Sequence, residues 1–467
     1  DRIVAFLRSV DVAVSETAFE GEGVKLRNLL AHVEGDPARR PVLLATHYDS
    51  VPQGPGAADA GACVAALLDT MRVLKQQQKR RRAGLLQRDV YFLCTDAEEH
   101  VPALDRGLNG ATYFAEVERG DVFARDPLVL NFDARGAAGP SLLYETSDHN
   151  YALTKWLLPV LPRPAFTASS FVAVYSVMPN ATDFTIFKRQ GLQGVNFAFI
   201  DKPHFYHTPG DTIEHLDPRS VQHHGNNALA LVERLLETPD DDFSSDENAI
   251  FFVMLGHWIV SYPESWAVGL AASVFALQIG ATVRLLRRGV AARQMGVAAL
   301  AVLAAMTMAA IVGLMITVAS SNGLLPASSH GFSRFDPWAI AVLWLAAALA
   351  AGLVFRLVSF RTSSEATRCV VWLGWAISGL SSAIALPGIS YIPLAVGVVP
   401  ALLSFTSYDK ASCFVIAVGA ATIILVPLGY QFGIALGPRM AVALSILFVA
   451  MLTPLFPVFV RPPTLET

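Results

Sequence analysis

Hydrolysis of an amide by water needs an activated water, a Lewis acid on the carbonyl oxygen and a base to take the proton. Six residues of this 467-residue chain are of the types that supply five metal ligands and one base. His47 stands in ATHYDS, Asp59 in GPGAADAG, Glu98 and Glu99 in CTDAEE, Asp133 in NFDARG and His207 in FYHTPGDT. Taken singly, each is more commonly a structural residue. Their common setting carries the signal, because each lies at or just beyond the end of a short apolar run, or at the start of the helix that follows one.

Those runs are the elements that must position the chemistry. Pro41 to Thr46, Asp89 to Thr95, Leu128 to Asp133 and Gly194 to Ile200 are short apolar runs rich in β-formers, a pattern that suits buried strands of a largely parallel sheet. Gly61 to Gln76 has helical apolar spacing, and Gly225 to Glu237 reads as a closing helix. Lys79 to Arg82 is expected to be a solvated basic loop. The carboxyl ends of parallel strands form one edge of the sheet, where ligands bind. All six residues therefore fall on one edge of an α/β fold with helices on both faces of the sheet.

The order HxD…D…EE…D…H, from Val42 to Leu236, resembles the co-catalytic dizinc exopeptidases of the aminopeptidase Y and aminopeptidase S type. Within them it is most similar to the membrane-bound branch of endoplasmic-reticulum and vacuolar metallopeptidases and their bacterial relatives. The resemblance implies two Zn²⁺ per chain, with Asp59 bridging them, His47 and Asp133 completing one site, Glu99 and His207 the other, and Glu98 as general base. Two zinc ions bring four positive charges, which three carboxylates and a hydroxide balance. Histidine and carboxylate ligands suit zinc. Asp49 is a candidate acceptor for the His47 imidazole, in balance with a plain turn-forming role. Arg135, Asp183 and Tyr206 are candidate substrate neighbours, Tyr206 as a hydrogen-bond donor to a tetrahedral oxyanion. Two features depart from the family: an extra stretch from His100 to Arg106, and Ala60 after the bridging position, where many relatives carry a polar residue. The implied activity is removal of N-terminal residues from peptides. A one-zinc, glutaminyl-cyclase-like enzyme disagrees with the presence of both His47 and Asp133. A receptor that lost the chemistry would have lost ligands.

The second half differs in kind. After the acidic, Ser-containing stretch Thr238 to Asn248, seven segments approach the roughly 20 apolar residues that a bilayer span requires. They are Trp266 to Leu286, Met295 to Val318, Trp338 to Val358, Cys369 to Leu386, Ile389 to Phe405, Ser412 to Leu428 and Met440 to Val460. Pro387-Gly388 splits the fourth from the fifth, so this pair can also be re-entrant. Ile250 to Val260 is too short to span and is expected to be an interfacial helix. The domain reading is thus a zinc exopeptidase-like domain over 1–240, a linker and interfacial helix over 241–265, and a transmembrane domain of about seven helices over 266–467. Few ionisable residues lie within the spans, which argues against a transporter.

On one side the membrane loops and tail hold Arg284, Arg287, Arg288, Arg293, Arg356, Arg361, Arg368, Lys410 and Arg461; the other side holds only Arg334 and Arg439. By the positive-inside rule the C-terminus is cytoplasmic and the catalytic half non-cytoplasmic, in periplasm or outside a bacterium or in an organelle lumen. A formal charge of −4 gives no reason to expect a nucleic-acid partner. The expected partners are a peptide substrate and the lipid bilayer, and no signal of oligomeric state is present. The four cysteines, Cys63, Cys94, Cys369 and Cys413, show no CxxC spacing and are read as small buried residues. The chain starts at Asp1 rather than Met, so a preceding segment, such as a signal peptide or first membrane helix, is expected.

Overall fold

The computed structural model describes residues 1–21, 23–81, 84–101, 104, 106–164, 167–238, 243–322, 324, 337–403, 405, 410–436 and 440–460. Its contacts divide the chain into two compact units, Asp1–Pro263 and Glu264–Thr467.

The first unit is built on a seven-stranded sheet: β1 (Ala13–Gly21), β2 (Val24–Val33), β3 (Val42–His47), β4 (Val90–Thr95), β5 (Leu128–Ala134), β6 (Leu142–Thr146) and β7 (Gly194–Phe199), in the order β1-β2-β4-β3-β5-β7-β6. The four strands expected from sequence form its centre and run parallel: β3 with β4, β3 with β5, and β5 with β7. The strands that sequence reading did not identify are antiparallel additions at the edges, the β1–β2 hairpin beside β4 and β6 beside β7. All residues of β3, β5 and β7 are buried, because helices cover both faces. On one face Leu67, Met71 and Leu74 of the Cys63–Arg80 helix and Leu231 and Leu235 of the Pro218–Glu237 helix pack on Leu44, Phe92 and Leu130. On the other, Phe114, Phe184 and Phe187 pack on Leu43, Leu93 and Val129. The closing helix starts earlier than its periodicity suggests, since Asp217 caps it through the Arg219 N–H and Pro218 occupies its first turn. Lys79 and Arg80 end the Cys63–Arg80 helix rather than forming a loop, with Lys79 paired to Asp11 at 3.2 Å; Arg82 lies outside the described residues.

The expected interfacial helix is corrected by the structure. β8 (Ala249–Met254) and β9 (Trp258–Pro263) form an antiparallel hairpin instead, and it belongs to the first unit. AIFFVM and WIVSYP are rich in aromatic and β-branched residues. Leu255 (φ 53°) and Gly256 (φ 80°) form the turn, a left-handed pair that breaks any helix. The hairpin's Ala249 and Phe251 are buried in the core of the unit.

In the second unit, among the described residues, six helices are long and apolar enough to cross a bilayer: Trp266–Arg287, Ala292–Ala319, Ala341–Arg361, Ser364–Ala385, Ser412–Gly433 and Ala441–Phe459. The seventh expected span is the shorter apolar helix Tyr391–Leu403, which follows the Pro387–Ile389 turn. Ala301, Ala305 and Ala309 pack against Ala347 and Ala351, the small-residue packing that lets membrane helices approach closely. Leu300, Leu303, Leu345, Leu349 and Leu353 are each about three-fifths exposed, an apolar outer face suited to lipid. Arg334, Arg439 and Arg461 lie outside the described residues.

Candidate metal centre

Strand order decides where the chemistry gathers. β3 has β4 on one side and β5 on the other, so the chain reverses its direction of winding there and leaves a crevice beyond the carboxyl ends. His47 ends β3 level with Thr95 of β4, and Asp133 lies near the end of β5, level with Ala198 of β7. Asp59 sits in an irregular turn just before the Cys63–Arg80 helix, and the Asp59–Ala60 peptide bond is cis. Glu98 and Glu99 follow β4, and His207, with φ 56°, lies in the loop after β7.

These residues converge as two groups sharing one member: His47, Asp59 and Asp133, and Asp59, Glu99 and His207, with donor atoms in each group within 4.8 Å of one another. His47 Nε2 is 3.2 Å from Asp59 Oδ1 and 3.6 Å from Asp133 Oδ1. His207 Nε2 is 3.1 Å from Asp59 Oδ2 and 2.7 Å from Glu99 Oε1. Asp59 thus turns one oxygen to each group. Two atoms each bound at 2.0–2.1 Å to a tetrahedral zinc lie roughly 3.3 Å apart, and three of the four separations are close to that. Asp59 Oδ2 and Glu99 Oε1 are buried with no hydrogen-bond partner, as acceptors reserved for a cation are. The local field agrees. Burial disfavours charge on both imidazoles, yet the carboxylates outweigh it, holding His47 well above its ordinary value and raising His207 to about 9. The donor set and its electrostatics fit two divalent ions.

Glu98 belongs to neither group. Burial lifts its pKa well above the usual carboxylate range, with Asp133, Asp183 and Glu99 adding to the rise. A carboxylate brought toward neutrality suits a group that must take and return a proton.

A further layer holds the donors in place. The Asp49 carboxylate accepts the backbone N–H groups of both Glu98 and Glu99, each at 3.1 Å. His47 Nδ1 meets the Asp49 carbonyl at 3.1 Å, while the carboxylate is 3.5 Å away. Asp49 therefore organises the Glu98-Glu99 loop more than the imidazole its spacing suggested. Asp183 is buried at the start of the Asp183–Arg189 helix, capped by Thr182 and Thr185, and accepts a hydrogen bond from Thr95 at the end of β4. Burial raises its pKa to about 7. The Tyr206 ring stacks on His207 with centroids 3.7 Å apart, and burial keeps its hydroxyl protonated. Arg135 is half-buried just past β5, its N–H donating to the Phe199 carbonyl. His100 is exposed and belongs to neither donor group.

Two positioning residues escaped the sequence reading. Asp211 accepts the N–H groups of Ala58 at 2.8 Å and Asp59 at 3.2 Å, locking the shared donor's turn. Its signal was its place in FYHTPGDT, four residues after His207. His224, buried in the Pro218–Glu237 helix, contacts the Asp133 carbonyl through Nε2 at 3.0 Å and Ser141 Oγ through Nδ1 at 2.6 Å. Burial lowers its pKa to about 3, so the neutral ring donates to Asp133 and accepts from Ser141. No sequence spacing announces that contact.

Comparison with known proteins agrees with the first unit. Endoplasmic reticulum metallopeptidase 1 of Rattus norvegicus is 31% identical over 234 residues, which is 49% of this chain and 24% of that protein. The vacuolar membrane protease of Candida dubliniensis is 30% identical over 237 residues, 50% of this chain and 23% of that protein. The chain thus spans about a quarter of the length of the curated relatives it matches. BSAP, a zinc aminopeptidase from Bacillus subtilis, superposes with a TM-score of 0.34 at 22% identity, covering 48% of this chain and 53% of that one. The family model for Peptidase family M28 matches residues 28–232, a range that contains every donor from His47 to His207. This chain therefore carries a Peptidase family M28 domain.

Proposed function

We propose that the chain is a membrane-anchored metallopeptidase that holds two zinc ions and removes single residues from free peptide N-termini. The observation that carries this reading is the pair of donor groups joined through Asp59. His47 and Asp133 would hold one ion with Asp59, and Glu99 and His207 the other. When bound, the ions supply Lewis acidity toward the scissile carbonyl and lower the pKa of water. Glu98 takes the proton from the attacking water and returns it to the leaving amine. Tyr206, fixed against His207, donates toward the oxygen that gains charge in the transition state. Carboxylates beside the ions would hold the substrate's terminal ammonium, which would set the preference for free N-termini.

The same reading puts the catalytic unit on the non-cytoplasmic side. Arg284, Arg287, Arg288 and Arg293 cluster around the end of the first span, which supports this orientation by the positive-inside rule. The reading takes the shorter apolar helix Tyr391–Leu403 as a seventh crossing, which would put the C-terminus in the cytoplasm.

The test separates Glu98 from Glu99. Glu98→Gln keeps size and hydrogen bonding but cannot accept the proton, so kcat should fall about 10²- to 10⁴-fold, while elemental analysis still finds two zinc ions per chain. Glu99→Gln should lose zinc, and excess Zn²⁺ should restore part of its activity. Zinc loss confined to Glu98→Gln means the roles are reversed. One zinc in the fully active unsubstituted protein would sink the two-ion reading.

A further inference from the structure

The exposed apolar residues of the first unit are mostly scattered, as Leu85, Val117, Val177 and Ile213 are. Isolated residues of this kind need no explanation. The tip of the β8–β9 hairpin differs: Met254, Leu255 and Trp258 are 37%, 53% and 55% exposed within five consecutive residues. Leu255 occupies a turn position with φ 53°, where Gly, Asn or Asp is favoured and a leucine side chain is strained. Folding therefore gives no reason for a leucine there, either through burial or through turn geometry. From Ala249 to Pro263 the hairpin contains no Asp, Glu, Lys or Arg, although it lies on the surface for much of its length. Hairpins that meet only water usually carry such charges.

Connectivity names the occupant. β9 ends at Pro263, and the first apolar span starts at Trp266, with the Ala267 N–H already bonded to the Glu264 carbonyl. The base of the hairpin is therefore tied to the bilayer surface by two residues, and a six-residue strand at about 3.3 Å per residue keeps the tip within roughly 20 Å of that anchor. Trp at a membrane–water interface, beside apolar neighbours, is the usual composition of such a contact. We infer that the hairpin tip, Met254 to Trp258, is seated in the headgroup region of the bilayer and gives the catalytic unit a second hold on the membrane. The inference rests on the spanning role of Trp266–Arg287 and is independent of the chemistry assigned to the metal centre.

The experiment places benzoylphenylalanine, a photo-crosslinker, in place of Leu255, Trp258, Gln76 or Leu270 in the full chain, reconstituted into phosphatidylcholine vesicles. Gln76 is an exposed residue of the Cys63–Arg80 helix, and Leu270 is 42% exposed in the first span. After irradiation, mass spectrometry of the labelled peptides should find lipid adducts at 255, 258 and 270 and none at 76. Lipid at 270 but not at 255 or 258 overturns the inference. Adducts from 255 and 258 to a protein chain overturn it in favour of a protein partner or a second copy. Absence of lipid at 270 overturns the spanning reading and this inference with it. Because all four positions are exposed, an unchanged circular-dichroism spectrum and melting transition report that each variant has folded.

Discussion

Removing the Asp211 carboxylate should weaken zinc binding from outside the donor set. The side chain is 2% exposed and its two oxygens accept the N–H groups of Ala58 and Asp59, while its own carbonyl accepts that of Ala57 at 3.1 Å. Asp211→Ala leaves two buried N–H groups without acceptors. Each orphaned group costs about 1–3 kcal/mol, so the turn that carries Asp59 loses about 2–6 kcal/mol of support. That loss divides between fold and metal. Partners of this kind are typically worth 10- to 100-fold in metal affinity, which is about 1.4–2.7 kcal/mol. The remainder falls on the metal-free unit, where each 1 kcal/mol moves Tm by roughly 2–4 °C at about this domain size. Asp211→Asn should be intermediate, since it keeps one acceptor but turns an amide donor toward the other N–H. The assay is zinc titration against a competing chelator, together with thermal melts of the stripped and zinc-loaded protein. Unchanged zinc affinity in Asp211→Ala, with a lowered Tm in the stripped protein, would reduce Asp211 to a purely structural residue. No change in either quantity would refute the reasoning.

Two further outcomes test the orientation and the substrate. A cysteine replacing Ala291, in the loop after the first span, should resist impermeant thiol reagents in intact cells, and one replacing the exposed Glu116 should react, once the partly exposed native Cys413 is replaced; the opposite pattern would reverse the proposed orientation. Acetylating a peptide's N-terminus should stop its cleavage, as judged by product mass; equal release of C-terminal residues from the acetylated peptide would end the aminopeptidase reading and leave the two-ion chemistry standing.

The sequence by itself indicated the four central strands, because short apolar runs rich in β-formers suit strands covered on both faces. It also pointed to the membrane character of the second half, since six helices long enough to span and without a polar face suit a bilayer. The candidates His47, Asp59, Glu98, Glu99, Asp133 and His207 were legible as a set because parallel strands deliver their carboxyl ends to one edge; that Glu99 rather than Glu98 is a donor was implied only by the family resemblance. The tertiary structure decided what local pattern does not encode. The outer strands β1, β2 and β6 alternate or mix polar and apolar residues, so they acquire their identity only through pairing with the rest of the sheet. The hairpin over Ala249–Pro263 has an apolar run ambiguous between helix and strand, and the left-handed Leu255-Gly256 turn resolves it. Asp49, Asp211 and His224 act on backbone atoms of other segments, with Asp211 and Asp59 separated by 152 residues and His224 and Asp133 by 91. A hydrogen bond to a main-chain N–H or carbonyl makes no demand on the partner's residue type, so it leaves no trace in sequence spacing and exists only once the chain has folded.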